Sequence, residues 1–207
     1  MTLNVYVDAF NLYYGSLKGT PYKWLDIAAM CRLAFPSDTI QRVRVFSARV
    51  NPTPQDPSQH TRQEAYFRAL ATTPGLTLHM GHFLSSTKSA ANANPPPKWV
   101  TILKREEKGS DVNLAMHLLL DAFDKDCEGF VVVSNDSDLA DPVRVVRDRF
   151  QFPITVLHPM RRGRTKSSQL RDAATASLPI QTSWLASAQF PPLIQDATGT
   201  IHKPPTW

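Results

Sequence analysis

Four aspartates stand where the chain leaves or enters an apolar run: Asp8 in "LNVYVDAFN", Asp111 in "KGSDVNLAMHLLLDAF", and Asp136 and Asp138 in "GFVVVSNDSDLADP". Carboxylates gathered at one place repel, and crowding drives some of them to hold a proton. A divalent cation removes that conflict. Mg²⁺ and Mn²⁺ prefer oxygen ligands, keep several waters and take only one or two protein carboxylates each. An aspartate set with no histidine or cysteine nearby suits one or two such hard ions and suits zinc poorly. Two ions about 4 Å apart activate a water and stabilise a leaving oxygen, which is the chemistry of phosphodiester hydrolysis.

Each aspartate also has a structural reading. Asp and Ser cap helices and form turns. Asp141 before Pro142 fits a helix start with Pro in its first turn and reads as structural. Ser137 or Asp138 caps an earlier start of the same helix, and Asp111 favours a helix dipole. Asp8 is the least cap-like, because no helix start is evident beside "DAFN".

The elements that must carry these acids follow from apolar patterning. Strands are expected at 3–7, 40–50, 130–134 and 153–157, and helices at 25–35, 58–72, 109–125, 138–149 and 167–176. In the third of these helices, Val112, Ala115, Met116, Leu119, Leu120 and Phe123 fall at helical spacing and predict its buried face. Two further strands, 76–84 and 98–104, add a hairpin, with "SSTKSAANANPPP" between them as a mobile loop. Alternating strands and helices predict an α/β fold with a mostly parallel sheet flanked by helices. In such sheets ligands bind beyond the carboxyl ends of the strands, where strand order reverses. Asp8, Asp111, Asp136 and Asp138 can all meet on that rim.

The chain has 207 residues, 42% of them hydrophobic, enough for one domain with a core. That domain is expected over 1–160. Residues 161–207 read as a basic loop, a short helix and a Pro-rich, irregular extension that wraps the domain or hangs loose. A net charge of +5 permits a polyanionic partner. Lys108 precedes the helix of Asp111, and Arg161, Arg162, Arg164 and Lys166 follow the last strand, so all five are candidates to grip a nucleic-acid backbone. Tyr13, Tyr14 and Trp99 could stack bases, but partial burial is the favoured reading. His79 and His82 point to opposite faces of a strand and cannot share a metal. Cys31 and Cys127 sit in apolar contexts and read as buried thiols, and neither a leader peptide nor a membrane span is apparent, so a cytoplasmic location is expected.

"VYVDAFNLYYG", "KGSDVNLAMHLLLDAF" and "VVVSNDSDLADPV" resemble, in order and spacing, three signature segments of the NYN domain, a branch of the PIN-like nucleases. The closing "GTIHKPPTW" is similar to the tail of some LabA-like members. The resemblance covers roughly residues 3–160. It implies a parallel PIN-like sheet and an acidic pocket holding Mg²⁺ or Mn²⁺, with RNA as substrate. Carried over by position, it makes Asp8, Asp111, Asp136 and Asp138 the metal-binding and catalytic acids, with Asn11 orienting a water or an aspartate. Where the family often has Gly, this chain has Asn135, a residue that also tolerates left-handed turns. The expected activity is a metal-dependent endoribonuclease whose products carry 5′-phosphate and 3′-hydroxyl ends. A non-cleaving RNA-binding or regulatory module is the alternative, and a small-molecule phosphatase ranks last. RNA is the expected partner, and a homodimer is left open.

Overall fold

A computed structural model of the chain describes residues 1–160 and 165–207. Its centre is a seven-stranded sheet. In chain order the strands are β1 (Thr2–Asp8), β2 (Thr39–Ala48), β3 (Leu76–Ala91), β4 (Trp99–Lys108), β5 (Gly129–Val133), β6 (Ile154–His158) and β7 (Ala176–Pro179). Their spatial order is β4-β3-β2-β1-β5-β6-β7, all parallel except the antiparallel β3–β4 pair. Strand order therefore reverses between β1 and β5, where Val7 lies opposite Val133.

Helices cover both faces. They are α1 (Ala9–Leu12, continued by a wider turn over Tyr13–Leu17), α2 (Ile27–Ala34), α3 (Gln59–Ala71), α4 (Ser110–Phe123), α5 (Ala140–Asp148, entered through a tight turn at Ser137–Leu139), α6 (Ser168–Ala173) and α7 (Thr182–Ser187). One core joins Val5, Val7, Val45 and Val133 to Leu12, Met30 and Leu70. The other joins Tyr6, Phe46, Val132 and Val156 to Leu114, Leu118 and Val143. Neighbouring residues on β1 and β5 feed opposite cores, so these strands are apolar throughout, as buried parallel strands are.

Three expectations change. The segment expected as a mobile loop is strand through Ala91: β3 pairs with β2 only over Leu76–Gly81, and from His82 to Ala91 it pairs with β4 alone. Both faces of that outer ribbon meet solvent, so backbone pairing holds it without any apolar alternation to read. The expected apolar face of α4 is also rotated. Leu114, Leu118, Asp121 and Ala122 are buried, whereas Val112, Met116, Leu120 and Phe123 are exposed. Asp121 sets this rotation. It accepts two hydrogen bonds from Arg44 at 2.9 Å each and one from the Tyr6 hydroxyl at 2.5 Å.

Third, the C-terminal segment wraps the domain, one of the two expected alternatives, but through regular strands and not as an irregular tail. β7 extends the sheet beside β6. Beyond α7, a separate antiparallel pair, β8 (Leu193–Asp196) and β9 (Gly199–His202), is tied to α3 by Arg68 and Asp196 at 2.9 Å. Trp207 packs on Trp24 and Tyr66. Cys31 and Cys127 are buried free thiols, as expected, with burial raising the Cys31 pKa to about 12. Among the described residues no helix is long and apolar enough to cross a membrane.

Candidate acidic site

Asp8, Asp111 and Asp136 line one cleft of about 370 Å³, together with Asn11, Glu107 and Ser110. Asp8 ends β1, and Asp136 follows β5 beside it, at the point where strand order reverses. β4 returns to the same rim because it is antiparallel to β3, so α4 starts there and brings Asp111. Gly109, at φ +97°, makes the turn between β4 and α4. Glu107 closes that helix start: its carboxylate accepts from the Ser110 amide at 3.1 Å and from the Ser110 hydroxyl at 2.6 Å. Gly81 makes room for it, since a Cβ there would lie 2.5 Å from Glu107 Oε1.

Asp8 is a helix cap after all. Its Oδ1 accepts from the Asn11 amide at 2.9 Å, and α1 starts at the next residue. Its Oδ2 accepts from the buried Ser134 hydroxyl at 3.0 Å. A carboxylate offers about four lone-pair sites, so these two bonds leave acceptor capacity toward the cleft. Burial raises the Asp8 pKa and its hydrogen bonds oppose that rise. Asp136 caps the turn at Ser137–Leu139 through the Asp138 amide at 3.0 Å. Asp111 differs from both: its carboxylate accepts no hydrogen bond from the described residues. Its pKa is pushed up to about 6, first by burial and then by repulsion from Asp8, Asp136, Glu107 and Asp138.

Asp138 is exposed and does not line the cleft. Asn11 holds the loop after β5 in place, its side-chain oxygen accepting from the Asn135 amide at 3.0 Å. Lys108 is exposed and lies 3.7 Å from Glu106. Lys166 is half-buried, and its charge helps to lower the His158 pKa. Arg161, Arg162 and Arg164 lie outside the described residues. Tyr13 is half-buried as expected, but Tyr14 and Trp99 are exposed, at 50% and 58%.

Sequence reading passed over Glu107, Ser134 and His158. Glu107 lay beside Lys108 with no signal of its own, and Ser134 read only as the last residue of a strand. His158 is fully buried and hydrogen-bonds Asn135 Oδ1 through Nδ1 at 2.8 Å. The Ser167 amide donates to the same oxygen at 2.8 Å, and the Asn135 amide group donates to the Thr165 carbonyl at 3.2 Å. Asn135 thus ties the loop after β5 to the ends of its neighbours, which a Gly could not do.

Among the described residues no three Asp, Glu, His or Cys side chains converge tightly enough to hold a metal ion between them. The cleft still fits a hard cation. Its donors are all oxygens, Asp111 has no partner among the described residues, and Mg²⁺ or Mn²⁺ needs only one or two carboxylates beside its waters.

A curated relative from Pseudomonas putida, 6-hydroxy-3-succinoylpyridine 3-monooxygenase HspA, is 27% identical over an alignment covering 98% of this chain and 74% of that protein. A crystal structure of a Vibrio parahaemolyticus protein of unknown function matches with a TM-score of 0.54 at 16% identity, covering 87% of this chain and 93% of that one, and supports the fold alone. The sequence pattern described as NYN domain matches residues 2–181, and with it the chain belongs to the NYN-domain family, a branch of the PIN-like nucleases.

Proposed function

We propose that the protein is a metal-dependent endoribonuclease that hydrolyses RNA phosphodiester bonds at the acidic cleft. One observation carries the reading: Asp8, Asp111 and Asp136, from three separate chain segments, line a single cleft at the switch point of the sheet. Family membership adds to it. Mg²⁺ or Mn²⁺ would be held by these three acids through one or two direct carboxylates and through water, with Asp138 at the outer margin. Such an ion supplies charge for the phosphate and makes water a better nucleophile.

The chain's own residues do the remaining work. Ser134 and the Asn11 amide fix the Asp8 carboxylate. The Asn11 side chain holds the loop that carries Asp136. Lys108 and Lys166 would contact backbone phosphates outside the cleft, and the sequence offers Arg161, Arg162 and Arg164 for the same task. Labelled single-stranded and structured RNAs, incubated with Mg²⁺, Mn²⁺ or chelator, test the reading. Cleavage should need the metal, leave 5′-phosphate and 3′-hydroxyl ends, and vanish in Asp136→Asn. Ends bearing 2′,3′-cyclic phosphate would contradict water as the nucleophile. RNA binding without cleavage under any divalent metal would leave a regulatory module of the same fold.

The curated relative favours a second reading, in which the chain hydroxylates a pyridine ring. One atom of O₂ would enter at ring carbon 3, where the succinoyl group is displaced, and the other would leave as water; a reduced nicotinamide would supply two electrons if the released four-carbon chain leaves as the diacid and four if it leaves as the semialdehyde. Incubating the protein with 6-hydroxy-3-succinoylpyridine, NADH and air, followed by mass spectrometry, decides it. A dihydroxypyridine that has lost the four-carbon side chain and carries one oxygen from O₂ would support this reading, and unchanged substrate would remove it.

A further inference from the structure

We propose that a second cavity, separated from the acidic cleft by a shared wall, is a binding site for one planar heteroaromatic ring that carries an anionic group. The cavity measures about 250 Å³. An apolar cavity of about 150 Å³ admits a benzene, so this one has room for a larger ring with polar substituents. Its walls include Phe10, Tyr13, Tyr14, Tyr66 and Phe67. Aromatic walls of this kind stack on any flat ring, whatever its identity.

Two hydroxyls argue for a heteroaromatic ring over a hydrocarbon. Ser47 is 2% exposed and lines the cavity, yet its hydroxyl makes no hydrogen bond with the described residues. The Tyr13 hydroxyl has none either. A hydroxyl left free at a cavity wall can pair with a ring nitrogen or a ring oxygen substituent, which a hydrocarbon does not offer.

Charge argues for the anion. Lys18 and Lys23 both line the cavity. Lys18 Nζ lies 4.9 Å from the centre of the Tyr14 ring, and Lys23 Nζ donates to the Thr206 carbonyl at 3.0 Å. Among the described residues neither has a carboxylate partner. Arg62 is balanced by its ion pair with Asp56. The cavity therefore carries an excess of positive charge.

Phe10, Tyr14 and Val50 line both the cavity and the acidic cleft. A nucleic-acid strand with a phosphate at the acids would place a neighbouring base in the cavity, and a free aromatic acid would reach the same walls. Both sources present a ring and an anion, and the site stands whether or not the acids cleave RNA.

The full chain, kept in chelator so that nothing turns over, is titrated with uridine 5′-monophosphate, adenosine 5′-monophosphate, nicotinate, ribose 5-phosphate and uridine. Calorimetry and the fluorescence of Trp207, which lines the cavity, report binding. The ring-bearing anions should bind about ten-fold tighter than ribose 5-phosphate. Nucleotides binding best would identify a base of the strand, and nicotinate binding best would identify a free small molecule. Tyr14→Ala should weaken ring binding about ten-fold and Tyr14→Phe should restore it, circular dichroism confirming that both fold. Lys18→Ala should weaken the anions and leave neutral uridine unchanged. Ribose 5-phosphate binding as well as the nucleotides, or Tyr14→Ala binding as well as the wild type, would overturn the site. A protein that binds rings but cuts no RNA would retain the site and lose the nuclease reading, and one that cuts RNA but binds no ring would do the opposite.

Discussion

Asp111→Asn should make the metal-free protein more stable. The Asp111 carboxyl is pushed up to about 6 from an ordinary 3.8, by burial first and by the neighbouring acids next. Between those two values the folded state holds a proton that the unfolded chain has released. Folding stability therefore falls as pH rises through that window, and at pH 7 the full cost of the ionised carboxylate is present. Two pKa units correspond to about 3 kcal/mol. Asp111 is only partly buried, and solvent screening reduces this to roughly 1–2 kcal/mol. For a chain of this length that is a rise of about 2–8 °C in melting temperature. The assay is a set of thermal melts of both proteins in chelator, from pH 7 down to about 4. The advantage of the variant should be largest at pH 7 and close to nothing near pH 4. Adding Mg²⁺ should raise the melting temperature of the wild type more than that of the variant, because the ion relieves the repulsion that the variant lacks. A variant less stable than wild type in chelator at pH 7, or one stabilised equally by Mg²⁺, would refute the idea that these acids repel one another and await a cation.

Asp121→Ala should cost about 3 kcal/mol in denaturant unfolding, because it leaves the Arg44 guanidinium unpaired against the sheet and the Tyr6 hydroxyl without its acceptor. Stability should also fall as pH drops from about 6.5 toward 4, since burial, with help from Lys166 and Arg171, lowers the His158 pKa to about 4 and the fold must keep this imidazole neutral; melts of His158→Gln should show a shallower acid dependence. Gly15→Ala should destabilise by about 1–3 kcal/mol, as its Cβ would lie 2.7 Å from Pro159 Cβ and from the Pro159 carbonyl oxygen. Asn135→Gly would remove the side-chain bonds to His158, Ser167 and Thr165, and proteolysis should then cut faster around Thr165 and Ser167.

The centre of the sheet was legible because β1, β5 and β6 are buried on two sides. "VYV" and "FVVV" have no choice of register to hide, and the helices between them follow from spacing and caps. What escaped reading was structure held by polar groups. The outer half of β3 has both faces in water, so its sequence resembles a linker while its backbone is fully paired with β4. The face of α4 was misjudged for a related reason. Its apolar residues outnumber the space against the sheet, and the side that turns inward is chosen by Asp121 meeting Arg44 and Tyr6, a bond between three distant segments that no local pattern announces.

The acidic cleft shows the same division. Asp8, Asp111 and Asp136 could be placed on one rim because strand ends are legible and topology does the rest. Their electrostatic roles could not be separated, because Asp8 and Asp136 each spend an oxygen on a cap and Asp111 does not. Capping and metal binding were weighed as rivals, yet for Asp8 they are compatible. The cap fixes the carboxylate at the strand end, and the fixed carboxylate then keeps lone pairs to offer. Such fixing is what a site needs when its charges repel, since an unanchored acid would swing toward solvent. Asp111, which no described residue anchors, is instead held by its place in the first turn of α4, with Glu107 bound across that turn. The repulsion stored there is the strongest reason to look for a cation.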